Sequence, residues 1–169
     1  MGLFDKLKKD KRNEVIDEIN RIIATKEDDE VPTWTVYLDK MDDQDMSVRV
    51  DTKFVDKNFA HTYYIQVSYA EEGTTWLPDK EFFVMVGNIE DGVMKILNEV
   101  FEDQIVLLGC ATFGGSAYIT FASNLNVRWC DFIHAKVHPD TPCGAYIDDN
   151  MGYYNKVLFP EFMREKFKK

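Results

Sequence analysis

Hydrophobic positions along the chain fall into distinct periods, and each period marks a different kind of element. Val15, Ile16, Ile19, Ile22 and Ile23 recur at helical spacing, the stripe of a core-facing helix. Ahead of it Leu3, Phe4 and Leu7 sit among lysines as a short amphipathic unit. Behind it Glu27-Asp28-Asp29-Glu30 with Pro32 reads as an acidic linker. From Thr33 the period changes to two. Trp34, Val36 and Leu38 alternate with Thr35 and Tyr37, and Met46, Val48, Val50, Thr52 and Phe54 alternate with polar residues. Tyr63, Ile65, Val67 and Tyr69 follow the turn Asp56-Lys57-Asn58. These runs predict half-buried strands joined as an antiparallel meander.

The second half predicts strands mixed with helices. Phe82 to Val86 reads as a short apolar strand broken by Gly87, with Asn88 capping a helix that buries Ile89, Val93, Ile96, Leu97, Val100 and Phe101. Ile105 to Phe113 and Ser116 to Ala122 are strands. Gly114-Gly115 between them is a two-residue hairpin signal, because both turn positions can take positive φ without a Cβ. Ser123 is placed to cap a second helix bearing Leu125, Trp129, Phe132 and Ile133, and Gly144 to Ile147 supplies a last strand. The order strand, helix, strand, strand, helix, strand over 82–148 is the split βαβ, or ferredoxin-like, arrangement. After Asn150, Tyr153, Tyr154, Val157, Leu158, Phe162, Met163 and Phe167 follow a mixed helical spacing that Pro160 forces to kink or restart. The expected fold is therefore α+β: an antiparallel sheet with a ferredoxin-like βαββαβ second half, preceded by an N-terminal helix and a β-meander.

Length and composition narrow this further. At 169 residues with 45% hydrophobic and 14% aromatic content, one domain over 1–169 is expected. It divides into a helical segment and acidic linker at 1–30 and an α+β body at 33–169. No apolar run reaches membrane-spanning length and no secretory h-region opens the chain, so the cytoplasm is the expected compartment. Cys110, Cys130 and Cys143 form an odd set without CxxC spacing, which suits buried thiols in a reducing environment. The net charge is −10, and it is uneven. Both ends are basic, while the body between them sets 11 bases against 26 acids. That balance excludes a general nucleic-acid binder and favours a protein partner with a basic surface. Membrane contact through residues 1–9 is disfavoured, since the unit is short and Lys6 stands where a myristoylation motif wants Ser or Thr.

Candidate chemistry is sparse. Cys130, His134, His138 and Cys143 carry thiol and imidazole ligands of the kind zinc prefers, spaced C-x3-H-x3-H-x4-C. They are the alternative reading, a zinc-dependent or small-molecule enzyme built on the 130–143 segment. Against it, the spacing lacks tight C-x2-C knuckles, and Pro139 and Pro142 restrict where His138 and Cys143 can point. Gly114-Gly115-Ser116-Ala117-Tyr118 lacks the final glycine of a nucleophile elbow, so Ser116 is read as a strand start. His61 begins a strand with no marked partner. Asp42, Asp43 and Asp45 form an acidic turn without the central glycine and distal glutamate of a calcium loop. Asp148-Asp149 is a chance pair among 30 acids, and Asn150 beside it suggests entry to a helix. Tyr63, Tyr64, Tyr69, Tyr118, Trp76 and Trp129 are candidates to line a ligand groove, though core and rim positions suit them as well. No catalytic residue and no cofactor are assigned.

Residues 77–160 carry a resemblance. Leu77-Pro78-Asp79 ahead of the helix with Ile89-Glu90-Asp91, the strand ending Leu108-Gly109 with its Gly-Gly hairpin, and the closing Asp148-Asp149-Asn150-Met151-Gly152-Tyr153-Tyr154 through Leu158-Phe159-Pro160 resemble the bacterial domain-of-unknown-function family 695. Phe159 and Gly152 depart from that family's usual aromatic residues. The resemblance extends distantly to the ferredoxin-like regulator of ribonuclease activity B, an acidic protein that binds and inhibits a ribonuclease. It implies a binding or regulatory module rather than an enzyme, by analogy of fold.

Overall fold

The computed structural model describes residues 16–17 and 33–168. The amphipathic unit at 1–9, the helical stripe from Val15 to Ile23 apart from Ile16, and the acidic linker at 27–30 lie outside the described residues. The remainder is α+β. Six strands form one antiparallel sheet: β1 (Trp34–Met41), β2 (Gln44–Asp51), β3 (His61–Ser68), β4 (Ile105–Phe113), β5 (Ser116–Ser123) and β6 (Cys143–Tyr146), in the order β1-β2-β4-β5-β3-β6. Helices α1 (Lys80–Phe101) and α2 (Trp129–Lys136) cross between strands, and α3 (Glu161–Phe167) ends the chain. Among the described residues no helix is long and apolar enough to cross a membrane.

Two hairpins fix the sheet's register. β1 meets β2 from Trp34↔Asp51 to Met41↔Gln44 across Asp42 and Asp43, both at positive φ. β4 meets β5 across Gly114 (φ 62°) and Gly115 (φ 96°), as the Gly-Gly pair predicts. The meander does not form. β3 leaves β2 and pairs with β5 and β6 instead, while β4 takes the free edge of β2 through Ser47↔Thr112 to Val50↔Gly109. Chain direction changes at Asp51, whose carboxylate accepts the Lys53 N–H at 3.2 Å, and the short 3₁₀ turn Thr52–Phe54 replaces the last three residues expected in the strand. Gly109 sits at a register shift in β4, where a Cβ would collide with the Arg49 carbonyl. Only glycine lets β4 approach β2 there.

The apolar run Phe82–Val86, expected as a strand, is the opening of the 22-residue α1. Five apolar residues in a row do not distinguish a strand from a buried helix turn. Asp79 decides the matter, because its side chain accepts the Phe82 N–H at 3.1 Å and starts the helix nine residues before Asn88 would. From there Phe82, Phe83, Val86, Val93 and Leu97 form one buried stripe. Glu102 at φ 53° ends the helix, its N–H bonded to the Asn98 carbonyl. Ser123 does not cap α2. Its hydroxyl donates to the Gln104 carbonyl at 2.7 Å and accepts the Leu125 N–H at 3.0 Å, tying the end of β5 to the start of β4. Helix α2 begins at Trp129, six residues later.

Residues paired across the strands share a face, so the registers sort the sheet into two sides. Helices α1 and α2 cover one, packing Phe82, Val86, Leu97, Trp129 and Ile133 onto Tyr63, Ile65, Ile119 and Phe121. The segment after β6 covers part of the other. A π-helical turn at Tyr154–Leu158 is followed by Pro160, where the chain restarts as α3. Tyr154, Leu158, Phe159 and Met163 bury against Tyr37, Met46, Val48 and Val50. Full burial of each such apolar side chain contributes about 1.5–3 kcal/mol. Two hydroxyls lock the layer: Tyr37 donates to the Leu158 carbonyl at 2.9 Å and Tyr154 to the Asp51 carbonyl at 2.8 Å.

Candidate functional site

The C-terminal segment covers β1, β2 and β4 and stops short of β3 and β6. On that side of β5, β3 and β6, five rings run in an unbroken row. Phe113 lies 5.3 Å from Tyr118, Tyr118 6.1 Å from Tyr64, Tyr64 5.5 Å from Tyr146, and Tyr146 6.1 Å from Tyr153. Tyr146 is 45% exposed, and the other four rings are half-buried. The rings come from four places in the chain. Phe113 and Tyr118 flank the Gly-Gly hairpin, Tyr64 stands mid-β3, Tyr146 ends β6, and Tyr153 begins the covering segment. Gly144 makes the row possible, because it pairs with Tyr64 across β3 and β6 and a Cβ there would overlap the Tyr64 ring.

Polar groups border the row. Gln66 donates to the Ser116 hydroxyl at 2.9 Å, and Ser68 lies 3.1 Å from the same hydroxyl. At the β6 end Asp149 accepts from the Thr62 hydroxyl at 2.7 Å and from the Tyr153 N–H at 3.0 Å. Burial raises the phenol pKa of Tyr118 and Tyr146, and nearby carboxylates add to it: Glu72 acts on Tyr118 and Asp149 on Tyr146. Tyr118 and Tyr146 therefore remain neutral phenols at pH 7, each with a carboxylate acting on it. Electron-rich ring faces beside carboxylates attract cations.

The sequence candidates scatter. Of the six aromatics expected at a groove, Tyr64 and Tyr118 join the row. Tyr63 and Trp129 stack in the core at 4.9 Å. Tyr69 donates to the Trp76 carbonyl at 2.8 Å and accepts the Gly115 N–H, while the Trp76 side chain is 62% exposed. Phe113, Tyr146 and Tyr153 were not among the candidates. Strand parity about the Gly-Gly turn puts Phe113 and Tyr118 on one face, but only tertiary pairing brings β6 alongside β3.

Cys130, His134, His138 and Cys143 come together only in part. His134 Nε2 lies 3.6 Å from Cys143 Sγ but 2.9 Å from the Thr141 carbonyl, and the Cys130 thiol donates to the Cys143 carbonyl at 3.3 Å. His138 is held in its own turn, accepting the Asp140 N–H at 3.2 Å. Burial and the adjacent Cys130 thiol push Cys143 up to about 12, which keeps it a thiol. Among the described residues no three His, Cys, Asp or Glu side chains gather in a ligating arrangement. Ser116 stands at the start of β5 beside Gln66 and Ser68, with no histidine bonded to it. His61, for which the sequence marked no partner, accepts the Asp148 N–H at 3.1 Å and lies 3.9 Å from the Asp148 carboxylate. A feature the sequence did not point to is the buried ion pair of Arg49 with Glu90, joining β2 to α1. Compared with protein families, curated proteins and solved structures, the chain matches none of them.

Proposed function

We propose that the chain is a non-catalytic, cytoplasmic binding module that takes a basic segment of a protein partner on its tyrosine row. The single observation that carries this reading is the continuous Phe113–Tyr118–Tyr64–Tyr146–Tyr153 row with Glu72 and Asp149 near its ends. Each Arg or Lys stacked on an exposed ring contributes about 0.5–1 kcal/mol. The −10 net charge adds long-range attraction that speeds encounter with a cationic surface. Nucleic acid is not the partner in this reading, since its phosphates would meet an acidic body.

The scaffold is read as a ferredoxin-like unit, β3-α1-β4-β5-α2-β6, extended by the β1–β2 hairpin. The spatial order β4-β5-β3-β6, with every neighbouring pair antiparallel, supports this. The resemblance of residues 77–160 to family 695, and more distantly to the regulator of ribonuclease activity B, fits a regulator that acts by binding. Titration of the full chain with an Arg-rich peptide at low salt tests the proposal. Saturable binding is expected, weakened about tenfold or more in Tyr64→Ala/Tyr118→Ala, and falling as salt rises. Equal affinity of the double variant, or no binding at low salt, would sink it.

A further inference from the structure

Two of the three cysteines meet where α2 returns to the sheet. Cys130 lies in the first turn of α2, and Cys143 opens β6, 13 residues later in the chain. The stretch between them is tied down. The Val137 N–H donates to the Ile133 carbonyl at 2.8 Å, the Thr141 N–H to the His138 carbonyl at 3.2 Å, and the Gln66 N–H to the Pro142 carbonyl at 2.9 Å. Pairing with Ile65 then sets Cys143 on the helix-covered face of the sheet, toward α2. The Cys130 thiol donates to the Cys143 carbonyl at 3.3 Å, and the Cys143 thiol is itself hydrogen-bonded with Cys130. His134 stands one helical turn beyond Cys130 on the same face, with Nε2 3.6 Å from Cys143 Sγ. That nitrogen is also 2.9 Å from the Thr141 carbonyl, which only accepts, so it carries its hydrogen. Both Cys130 and Cys143 are half-buried, whereas Cys110 is buried in the sheet.

We infer that Cys130 and Cys143 are a redox pair, oxidised by hydrogen peroxide to a disulfide that ties the first turn of α2 to the start of β6. A redox-active cysteine combines access from solvent, a polar donor beside the sulfur and a second sulfur to resolve the oxidised one. This cluster holds all three. Cys143 keeps its proton beside Cys130, so Cys130 attacks, as its thiolate, one oxygen of the peroxide. The O–O bond breaks, a sulfenic acid forms on Cys130, and the departing hydroxide takes up the proton Cys130 released and leaves as water. Cys143 Sγ then attacks the sulfenic sulfur. The S–S bond forms, the S–O bond breaks, and the hydroxide leaves as a second water with the proton of Cys143. His134 Nε2–H supports the charge on Cys143 Sγ as that proton departs. Two thiols and one peroxide thus give one disulfide and two waters, the sulfurs losing the two electrons that the peroxide gains. Cys110 takes no part, because burial pushes its thiol up to about 12 and keeps it protonated. In a reducing compartment such a bond is transient, formed when peroxide rises and reopened by thiols.

Thiol counting and peptide mapping of the full chain test this. Reduced protein treated with hydrogen peroxide while folded, then unfolded for titration, should fall from three free thiols to one. Mass spectrometry should find the Cys130 and Cys143 peptides joined and Cys110 free, and dithiothreitol should restore all three thiols. Cys143→Ser removes the resolving sulfur, so the sulfenic acid on Cys130 should persist and take up dimedone, while Cys130→Ser should stay unlabelled. The parent chain decides whether the bond forms even if a variant does not fold. Three thiols remaining after peroxide, a bond that includes Cys110, or a bond between two chains overturns the inference. So does dimedone label confined to Cys130→Ser, which would make Cys143 the attacking sulfur. Sulfenic acid on Cys130 of the parent without the bond overturns it as well, since the two β-carbons would then not come within the roughly 4 Å that a disulfide needs.

Discussion

The two faces of the sheet are finished differently, and the contrast separates what holds this protein together from what it offers to others. On the helix side α1 and α2 lay an apolar layer over the strands, interrupted by the buried Arg49–Glu90 pair. On the opposite side the C-terminal segment covers β1, β2 and β4 with a second core and leaves β5, β3 and β6 to a row of tyrosines. Both faces use aromatic side chains in quantity. What differs is the neighbour each ring has: a packed helix on one side, hydroxyls, carboxylates and open space on the other. Aromatic content by itself therefore does not mark a site. Continuity of rings without a covering layer does.

Raising the pH should attack the C-terminal layer hardest. Burial raises the phenols of Tyr37 and Tyr154 well above their ordinary 10.0. Both are neutral in the fold and ionise readily once unfolded, so their stabilisation is complete below pH 10 and declines as pH climbs from there toward the folded values. With Tyr153, whose phenol burial raises likewise, three such groups give a slope of about 4 kcal/mol per pH unit above pH 10. Urea denaturation between pH 9 and pH 11 would measure it, and Tyr37→Phe should flatten it. Cys110, on the helix face, starts its own smaller decline from 9.0, which the same series run on Cys110→Ala would separate.

The helix face breaks at its ion pair. Glu90→Ala leaves the Arg49 guanidinium buried without its counter-charge and should cost about 3–5 kcal/mol, read from the urea midpoint. Replacing both partners with apolar residues should recover most of that loss. A single variant as stable as the parent would show that water reaches the pair. On the open face, Gly144→Val should displace the Tyr64 ring at a cost of about 1–3 kcal/mol while leaving the helix-side core intact. Its sharper readout is binding: affinity for a basic peptide should fall further than stability does. The smallest effect expected is Asp79→Ala, about 1 kcal/mol for the lost cap, seen as a lower thermal midpoint. A larger effect would mean that the opening turns of α1 depend on that single residue.

Much of the secondary structure is written in short stretches of sequence. Gly114-Gly115 specifies a tight hairpin wherever it lies, and the apolar stripe at Ile89, Val93, Leu97 and Phe101 reads as helix in isolation. Pro160 compels a restart. Phe82–Val86 is the counter-example, since its five apolar residues fit either state and the local cap at Asp79 was the overlooked signal. Strand neighbours are a different matter. Nothing local tells β3 to leave β2 for β5 and β6, because any strand with one apolar face satisfies either partner, and only the total burial of the folded chain chooses. The tyrosine row and the Arg49–Glu90 pair follow from that choice. Arg49 and Glu90 stand 41 residues apart, and of the row only Phe113 and Tyr118, on one hairpin, could be placed together from spacing. The sequence alone determined which segments form hairpins and helices, because those depend on backbone conformation and nearest neighbours. The tertiary structure decided which rings meet in the open and which charge is buried, because those depend on contacts that exist only once the sheet has closed.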